Sequence, residues 1–219
     1  LCGQRKVALA ELPFSVVILA GGESRRLGQD KASATLGAST LLERTAMNVA
    51  LLTSDLLIVL QRGQPAPPGL WRIAHDLAGC RGPIAALAGG LLACHHAWAL
   101  VIACDMPYVS ADLVRFLADL RNDCQAVVPT CALGIEPLHA FYHRSALAPM
   151  QEAANRGEQR LSLALRGLRC RYVPSEQWLP YDPTQRSFYN INTPQELEQA
   201  RRWAQATPEK EAACREQVT

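Results

Sequence analysis

Short apolar runs alternate with longer amphipathic segments through the first 130 residues. The first run, Val16-Val17-Ile18-Leu19-Ala20, is continuous and rich in β-branched residues, which is typical of a strand buried on both faces. The same pattern predicts further strands at 55–60, 71–76, 98–104 and 125–129. Apolar residues at helical spacing predict intervening helices over 39–52, 84–95 and 110–120.

This alternation of strand and helix predicts an α/β fold with right-handed crossovers. We expect a three-layer architecture, with a mostly parallel central sheet and helices on both faces. The same pattern indicates a single domain over 14–206, preceded by an N-terminal extension at 1–13. The polar C-terminal tail at 207–219 is expected to fray.

The second half of the chain is less regular. Its pattern predicts strands at 137–142, 169–173 and 187–191, and helices at 146–155 and 161–166. A last helix is expected from Pro194 to about Ala206, with Asn192 or Thr193 as its cap.

Composition narrows the class of protein. The chain has 219 residues, of which 49% are hydrophobic, enough for an ordered domain with a substantial core. A net charge of +2 gives no reason to expect a nucleic-acid partner. No apolar stretch approaches the roughly 20 residues needed to span a bilayer, so no membrane partner is expected either.

The cysteine pattern indicates the redox setting. The eight cysteines contain no C-x-x-C pair, which argues against a zinc or thiol redox site. We therefore predict a reducing, cytoplasmic location, although the sequence leaves open a single disulfide.

A glycine-rich basic segment follows the first predicted strand, Gly21-Gly22-Glu23-Ser24-Arg25-Arg26-Leu27-Gly28-Gln29-Asp30-Lys31. Glycines allow close approach of the backbone to a ligand, and arginine and lysine neutralise phosphate charge. The segment is neither a Walker motif, because Ala32 follows Lys31, nor a G-x-G-x-x-G fingerprint. It is a candidate phosphate-binding loop, and the alternative is a solvated basic surface loop.

Two aspartates follow later strands of the predicted sheet, Asp76 after the third and Asp105 after the fourth. Ligands of open parallel sheets bind beyond the carboxyl ends of the strands. A carboxylate at the end of a buried strand needs a partner or a metal, and Mg²⁺ takes one or two carboxylates together with phosphate oxygens. Helix capping is the alternative for Asp105, although Ser110 is better placed for it, and turn formation is the alternative for Asp76.

These residues together resemble a known family. The signature of the molybdenum cofactor guanylyltransferase family is similar to the segment Leu19-Ala20-Gly21-Gly22-x-Ser24-x-Arg26-Leu27-Gly28-x-Asp30-Lys31. Leu27 stands where that family often has methionine. The magnesium motif of that family is similar to Cys104-Asp105-Met106-Pro107-Tyr108. Its nucleotide-contacting segment is similar to Asp76 followed by Gly82-Pro83-Ile84-Ala85. The resemblance covers about 14–206. It departs where some members place an asparagine near the end of the second strand to contact the nucleotide, because that neighbourhood is Val59-Leu60-Gln61 here.

The resemblance implies a nucleotidyltransferase with a Rossmann-like fold, which transfers GMP from GTP to the phosphate of molybdopterin, releases pyrophosphate and uses Mg²⁺. It implies catalytic roles for Arg26, Lys31 and Asp105, with Asp105 as the metal ligand. The residues implied in nucleotide binding are Leu19, Ala20, Gly21, Gly22, Lys31, Asp76 and Asp105. Glu136 and Asn190 match segments expected on the acceptor side, and transient contacts with cofactor-supplying proteins and molybdoenzymes are expected.

Three alternatives remain open at the level of sequence. A molybdenum cofactor cytidylyltransferase is the nearest, although in the resembled family the form Ala20-Gly21-Gly22 goes with guanine. A sugar-phosphate nucleotidylyltransferase shares a glycine-rich first loop. A non-catalytic nucleotide-binding module is disfavoured by the presence of both Lys31 and Asp105.

Overall fold

A computed structural model describes residues 14–21 and 34–206 of the chain. The predictions made for 1–13, 22–33 and 207–219 lie outside the described residues. These include the N-terminal extension, the C-terminal tail and, within the loop, Gly22, Arg26 and Lys31.

The described elements follow the predicted alternation. The strands are β1 (Ser15–Leu19), β2 (Thr35–Leu36), β3 (Ser39–Thr40), β4 (Leu56–Leu60), β5 (Arg72–His75), β6 (Trp98–Ala103), β7 (Ala126–Cys131), β8 (Gly134–Ile135), β9 (His139–His143) and β10 (Cys170–Val173). The helices are α1 (Leu41–Ala50), α2 (Pro83–Ala93), α3 (Ala111–Asp119), α4 (Leu147–Asn155), α5 (Leu161–Ala164), α6 (Ser175–Trp178) and α7 (Pro194–Ala206). Short 3-10 helices lie at Arg144–Ala146, Leu165–Gly167, Leu179–Tyr181 and Arg186–Phe188.

The central sheet is mostly parallel, as predicted. Its strand order within the described residues is β10-β7-β9-β6-β1-β4-β5, and β8 pairs with β7. Strand β1 pairs in parallel with β4 on one side and with β6 on the other. Strand β9 is antiparallel to both β6 and β7. The carboxyl ends of β1, β4, β5 and β6 therefore meet at one edge of the sheet.

Helices cover both faces of this sheet, which confirms the three-layer prediction. One core contains Ile18, Leu42 and Leu113, between the sheet and α1 and α3. The other contains Val17 and Leu87, between the sheet and α2. A third, smaller cluster joins the start of β2 to α7 and consists of Ala34, Leu36, Leu41, Ile191, Leu197 and Ala200.

Polar side chains cap three of the described helices. Thr40 caps α1, where its hydroxyl accepts a hydrogen bond from the Glu43 amide at 3.1 Å while the Glu43 carboxylate accepts from the Thr40 amide at 2.8 Å. Ser110 caps α3. Thr193 rather than Asn192 accepts from the amide of Glu196 in the first turn of α7, at 3.2 Å. These side chains satisfy helix amides that otherwise have no partner.

Two predicted elements differ from the structure. The helix predicted over 39–52 begins only at Leu41, because Ser39 and Thr40 pair with β2. The strand predicted over 187–191 is wrong. In that segment the Ser187 amide donates to the Asp182 carboxylate at 2.9 Å, and the Ile191 amide donates to the Asp105 carbonyl at 3.0 Å. These partners replace the ladder bonds that a strand would need.

A buried carboxylate links several elements at the amino-terminal edge of the sheet. Asp55 is only 4% exposed and accepts hydrogen bonds from the Ser15 hydroxyl, the Arg72 guanidinium and the His95 amide. Burial by itself raises the pKa of Asp55, but its hydrogen bonds and the charge of Arg72 outweigh burial and leave that pKa lowered. Arg72 also donates to the Ala93 carbonyl, which ends α2. The network thus joins β1, β5 and α2.

Two further sequence expectations concern the oxidation state of the cysteines and the presence of membrane-spanning helices. The cysteines at 80, 94, 104, 124, 131 and 170 are free thiols. Among residues 14–21 and 34–206, no helix has the length and apolar character required to cross a bilayer.

Replacement of Asp55 should destabilise the fold strongly. Asp55→Ala leaves Arg72 and Ser15 without their buried acceptor, and we expect it to lower the free energy of unfolding by about 3 kcal/mol. Asp112→Ala is the matched control, because the ion pair of Asp112 with Arg115 is exposed and should contribute less than about 1 kcal/mol. Urea unfolding followed by circular dichroism measures both, and equal small losses would contradict the assigned role of Asp55.

Candidate active site at the carboxyl edge of the sheet

The carboxyl edge of the sheet brings together the predicted site residues that the structure describes. Ala20 and Gly21 follow β1, Asp76 follows β5, and Asp105 lies two residues beyond β6. Leu19 is the last residue of β1 and is buried between Val59 and Ala103. The sequence predicted this convergence, because parallel neighbours end at the same edge.

Gly21 lies directly against the end of β4. The Ala20 amide donates to the Val59 carbonyl at 2.9 Å, which holds the exit of β1 beside β4. A Cβ atom on Gly21 would stand 2.9 Å from Cγ of Gln61 and 3.0 Å from its backbone nitrogen. Any larger residue at this position would crowd the backbone and side chain of Gln61, so glycine favours this close approach of the two strand ends. The loop that begins at Gly21 leaves the sheet beside Gln61, the residue at which the sequence departs from the resembled family.

Asp76 supports the turn that contains Gln61. Its carboxylate, with the residue 7% exposed, accepts a hydrogen bond from the Arg62 amide at 3.1 Å. Within the same turn, the Gln64 side chain accepts from the Gln61 amide at 3.2 Å and donates to the Ala20 carbonyl at 3.1 Å. Asp76 and Gln64 together thus tie the turn to the exit of β1. Direct contact of Asp76 with a nucleotide stays a prediction.

Sequence reasoning missed Gln64. It lies in a loop rich in proline and glycine, where no periodicity marks one polar side chain above another. Its role follows from the approach of β4 to β1, which the local sequence does not encode.

The segment after β6 is held from both sides. The Thr45 hydroxyl on α1 donates to the Cys104 carbonyl at 3.1 Å, and the side-chain Nδ2 of Asn48 donates to the Pro107 carbonyl at 2.7 Å. From the C-terminal part of the chain, the Ile191 amide donates to the Asp105 carbonyl at 3.0 Å. Asp105 itself is 6% exposed. The backbone that carries this carboxylate is therefore held by three hydrogen bonds from two parts of the chain, α1 and the segment before α7.

The described residues suit Mg²⁺, whose ligands can come partly from a bound substrate, better than a metal whose ligands must all come from the protein. Residues 14–21 and 34–206 contain no group of three or more histidine, cysteine or acidic side chains able to hold a metal. Mg²⁺ needs only one or two carboxylates when phosphate oxygens and water complete its shell. Asp105, a nearly buried carboxylate two residues beyond β6, matches that requirement.

The two residues predicted on the acceptor side also lie at this edge. Glu136 precedes β9, and the neighbouring Leu138 carbonyl accepts a hydrogen bond from the Ala103 amide at the end of β6, at 3.2 Å. Burial raises the pKa of Glu136, and the nearby thiol of Cys131 opposes that rise. Asn190 donates to the Phe188 carbonyl at 3.2 Å and precedes the residue that bonds to Asp105.

A buried histidine lies three residues beyond Glu136, and its backbone amide donates to the Glu136 carbonyl at 3.2 Å. His139 is fully buried, and its ring lies 5.0 Å from that of Phe188. Burial lowers the pKa of His139 to about 4, although the carboxylate of Asp182 and the backbone of Ser187 act in the opposite direction. The imidazole is therefore neutral near pH 7. Together with Asp182 and Ser187, it forms a buried polar cluster between β9 and the segment that leads to α7.

With this geometry in place, comparison with known proteins identifies the family. Residues 16–172 match the MobA-like NTP transferase domain. The chain belongs to this family. The family prediction and the fold prediction made from the sequence are thereby confirmed.

Relatives of the MobA-like chain carry consistent names. A probable molybdenum cofactor guanylyltransferase from Chloroflexus aggregans is 36% identical over 84% of this chain and 91% of the relative. A molybdenum cofactor guanylyltransferase from Desulfosudis oleivorans is 32% identical over 84% and 92%. Among solved structures, molybdopterin-guanine dinucleotide biosynthesis protein A from Archaeoglobus fulgidus superposes with a TM-score of 0.78 at 26% identity, covering 89% of this chain and all of that one.

The match to the MobA-like domain ends at residue 172, but residues beyond 172 also contribute to the candidate active site. The segment from Asp182 to Ile191 bonds to the Asp105 carbonyl and forms the buried cluster around His139. Sequence reasoning assigned a strand to part of this segment and did not identify its contact with the loop after β6.

Stability should fall as the pH drops below about 6.5, because of His139. Its pKa is 6.5 in the ordinary case and about 4 in the fold, so between these values the unfolded state binds more protons. His139→Leu should flatten the pH dependence by up to about 1.4 kcal/mol per pH unit in this window. Urea unfolding from pH 7 to pH 4.5 measures this slope, and parallel slopes for the two proteins would show that His139 is not buried as a neutral base.

Proposed function

We propose that the protein transfers GMP from GTP to the phosphate of molybdopterin and releases pyrophosphate. The observation that carries the proposal is the shared edge, where the start of the glycine loop, the turn supported by Asp76 and the nearly buried Asp105 converge. The relatives named molybdenum cofactor guanylyltransferase support the choice of reaction.

The reaction is a substitution at phosphorus. An oxygen of the molybdopterin phosphate forms a bond to the α-phosphorus of GTP, and the bond from that phosphorus to the oxygen bridging the β-phosphate breaks. The electron pair leaves with pyrophosphate. No covalent enzyme intermediate is needed, so the protein has to position two anionic groups and neutralise their charge.

The roles of the glycine loop follow from its chemistry. Gly21 and Gly22 provide backbone amides that approach the phosphates without side-chain obstruction. Arg26 and Lys31 neutralise the charge that develops on the departing pyrophosphate. Leu19 ends β1, and Ala20 follows it at the start of the loop.

Asp105 is assigned as the ligand of Mg²⁺, which when bound supplies charge neutralisation at the triphosphate. Its backbone is fixed by α1 and by the Ile191 amide, so the carboxylate is oriented before the nucleotide arrives. Such preorganisation lowers the cost of reaching the transition state.

Recognition of the guanine base and of the acceptor is assigned to the two flanks of this edge. Asp76 and the turn at Gln61 lie on the β4–β5 flank and are proposed to face the nucleoside. Glu136 and Asn190 lie on the β6–β9 flank and are proposed to face the pterin. A cytoplasmic location and transient contacts with proteins that supply or receive the cofactor remain predictions.

Nucleotide choice can be measured directly. With molybdopterin as acceptor and Mg²⁺ present, we expect pyrophosphate release with GTP to exceed that with CTP by at least about tenfold, which corresponds to about 1.4 kcal/mol. The dinucleotide product is identified by mass spectrometry. Preference for CTP would instead identify a cytidylyltransferase, and GTP binding without pyrophosphate release would identify a binding module.

Two charge-removing variants test the assigned machinery. Lys31→Ala and Asp105→Asn should each lower kcat/KM for GTP by about 100-fold or more, because each removes charge compensation at the phosphates. Asp112→Asn, on the exposed face of α3, is the control and should retain full activity. Near-normal turnover by either site variant would contradict its role.

A further inference from the structure

Thr45 is the polar residue in the buried stripe of α1. The other buried residues of this helix are Leu41, Leu42, Ala46 and Val49, and Thr45 is as completely buried as they are. A hydroxyl in such surroundings is costly unless it is hydrogen-bonded. The Thr45 hydroxyl donates to the Cys104 carbonyl at 3.1 Å, so it has the partner that burial requires. This carbonyl immediately precedes Asp105.

Asn48 lies one helical turn further along and makes a second contact of the same kind. Residues three apart share one face of a helix, so Thr45 and Asn48 both face the segment after β6. Asn48 donates to the Pro107 carbonyl at 2.7 Å. The two contacts bracket Asp105, with one carbonyl immediately before it and the other two residues after it.

The opposite side of the segment is held as well. The Cys104 amide donates to the Leu19 carbonyl at 3.1 Å, and the Ile191 amide donates to the Asp105 carbonyl. Regular pairing of β6 ends at Ala103, so the path of the following peptides depends on these individual bonds. Loss of one donor on α1 would allow the Asp105 carboxylate to shift without disrupting the sheet.

We infer that Thr45 and Asn48 are positioning residues that set the orientation of the Asp105 carboxylate toward the metal–triphosphate complex. The inference rests on the proposed function, because it takes Asp105 as the metal ligand. Neither side chain is required to touch substrate. Residues that orient a ligand in this way typically change metal affinity or activity by about 10- to 100-fold when they are replaced.

Thr45→Val is the decisive variant, because valine keeps the shape and removes the donor. We expect it to raise the Mn²⁺ concentration needed to half-saturate the protein–GTP complex by about tenfold, as measured by electron paramagnetic resonance of free Mn²⁺. The Mg²⁺ concentration for half-maximal pyrophosphate release should rise in parallel. The KM for GTP at saturating Mg²⁺ should stay within about twofold, while kcat falls by about tenfold.

Thr45→Ser is the matched control. It retains the hydroxyl and should keep wild-type Mn²⁺ affinity, although the lost methyl group should lower the stability of the core. Asn48→Ala, at a half-buried position, gives an independent test if Thr45→Val does not fold. We expect the same rise in the Mn²⁺ requirement for Asn48→Ala.

The possible outcomes are distinguishable. Wild-type Mn²⁺ affinity and kcat in folded Thr45→Val or Asn48→Ala, with Asp105→Asn inactive, would overturn this inference and leave the proposed function standing. Unchanged Mn²⁺ binding and turnover in Asp105→Asn would overturn the proposed metal ligand, and this inference with it. A loss of stability with an unchanged metal requirement would assign Thr45 and Asn48 to packing alone.

Discussion

The parallel pairing of β1 on both of its edges is the constraint on which the rest of the structure depends. Because β4 and β6 both run beside it in the same direction, three chain segments leave the sheet at one edge. The glycine loop therefore begins between the turn after β4 and the segment that carries Asp105. Five buried residues in β1 are enough to place groups that lie more than 80 positions apart in the chain.

Backbone groups at the ends of these strands lack the hydrogen-bond partners that the sheet supplies elsewhere. Where the ladders stop, carbonyl and amide groups at a buried edge lose their regular partners, and each must find another. Side chains meet part of this need. Asp76 accepts from the turn after β4, and Gln64 donates to the Ala20 carbonyl after β1. Thr45 and Asn48 donate to the segment after β6. The same contacts that satisfy the backbone also orient the candidate active site.

Stability and proposed chemistry are concentrated at opposite edges of the sheet. At the amino edge, Asp55 is paired with Arg72 and with hydrogen-bond donors from two further segments, an arrangement suited to holding elements together. At the carboxyl edge, the buried imidazole of His139 is neutral near pH 7 and lies at the start of β9, three residues beyond Glu136. These polar groups lie at the ends of the strands, and the strand residues between them, such as Val16, Val17 and Ile18 of β1, are apolar and buried.

The apolar runs and helical spacings were sufficient to predict the α/β layers, and residues such as Ser110, Thr193 and Pro194 marked helix starts, because these signals are local. Asp76 and Asp105 were also found locally, since each follows a buried run and parallel strand ends converge. Gln64, Asn48 and the contact of Ile191 with Asp105 were not predictable, because each depends on which segments become neighbours after folding. The false strand over 187–191 has the same origin: its apolar pattern is compatible with pairing, but hydrogen bonds to Asp182 and to the loop after β6 are available only in the folded chain, and they replace the ladder.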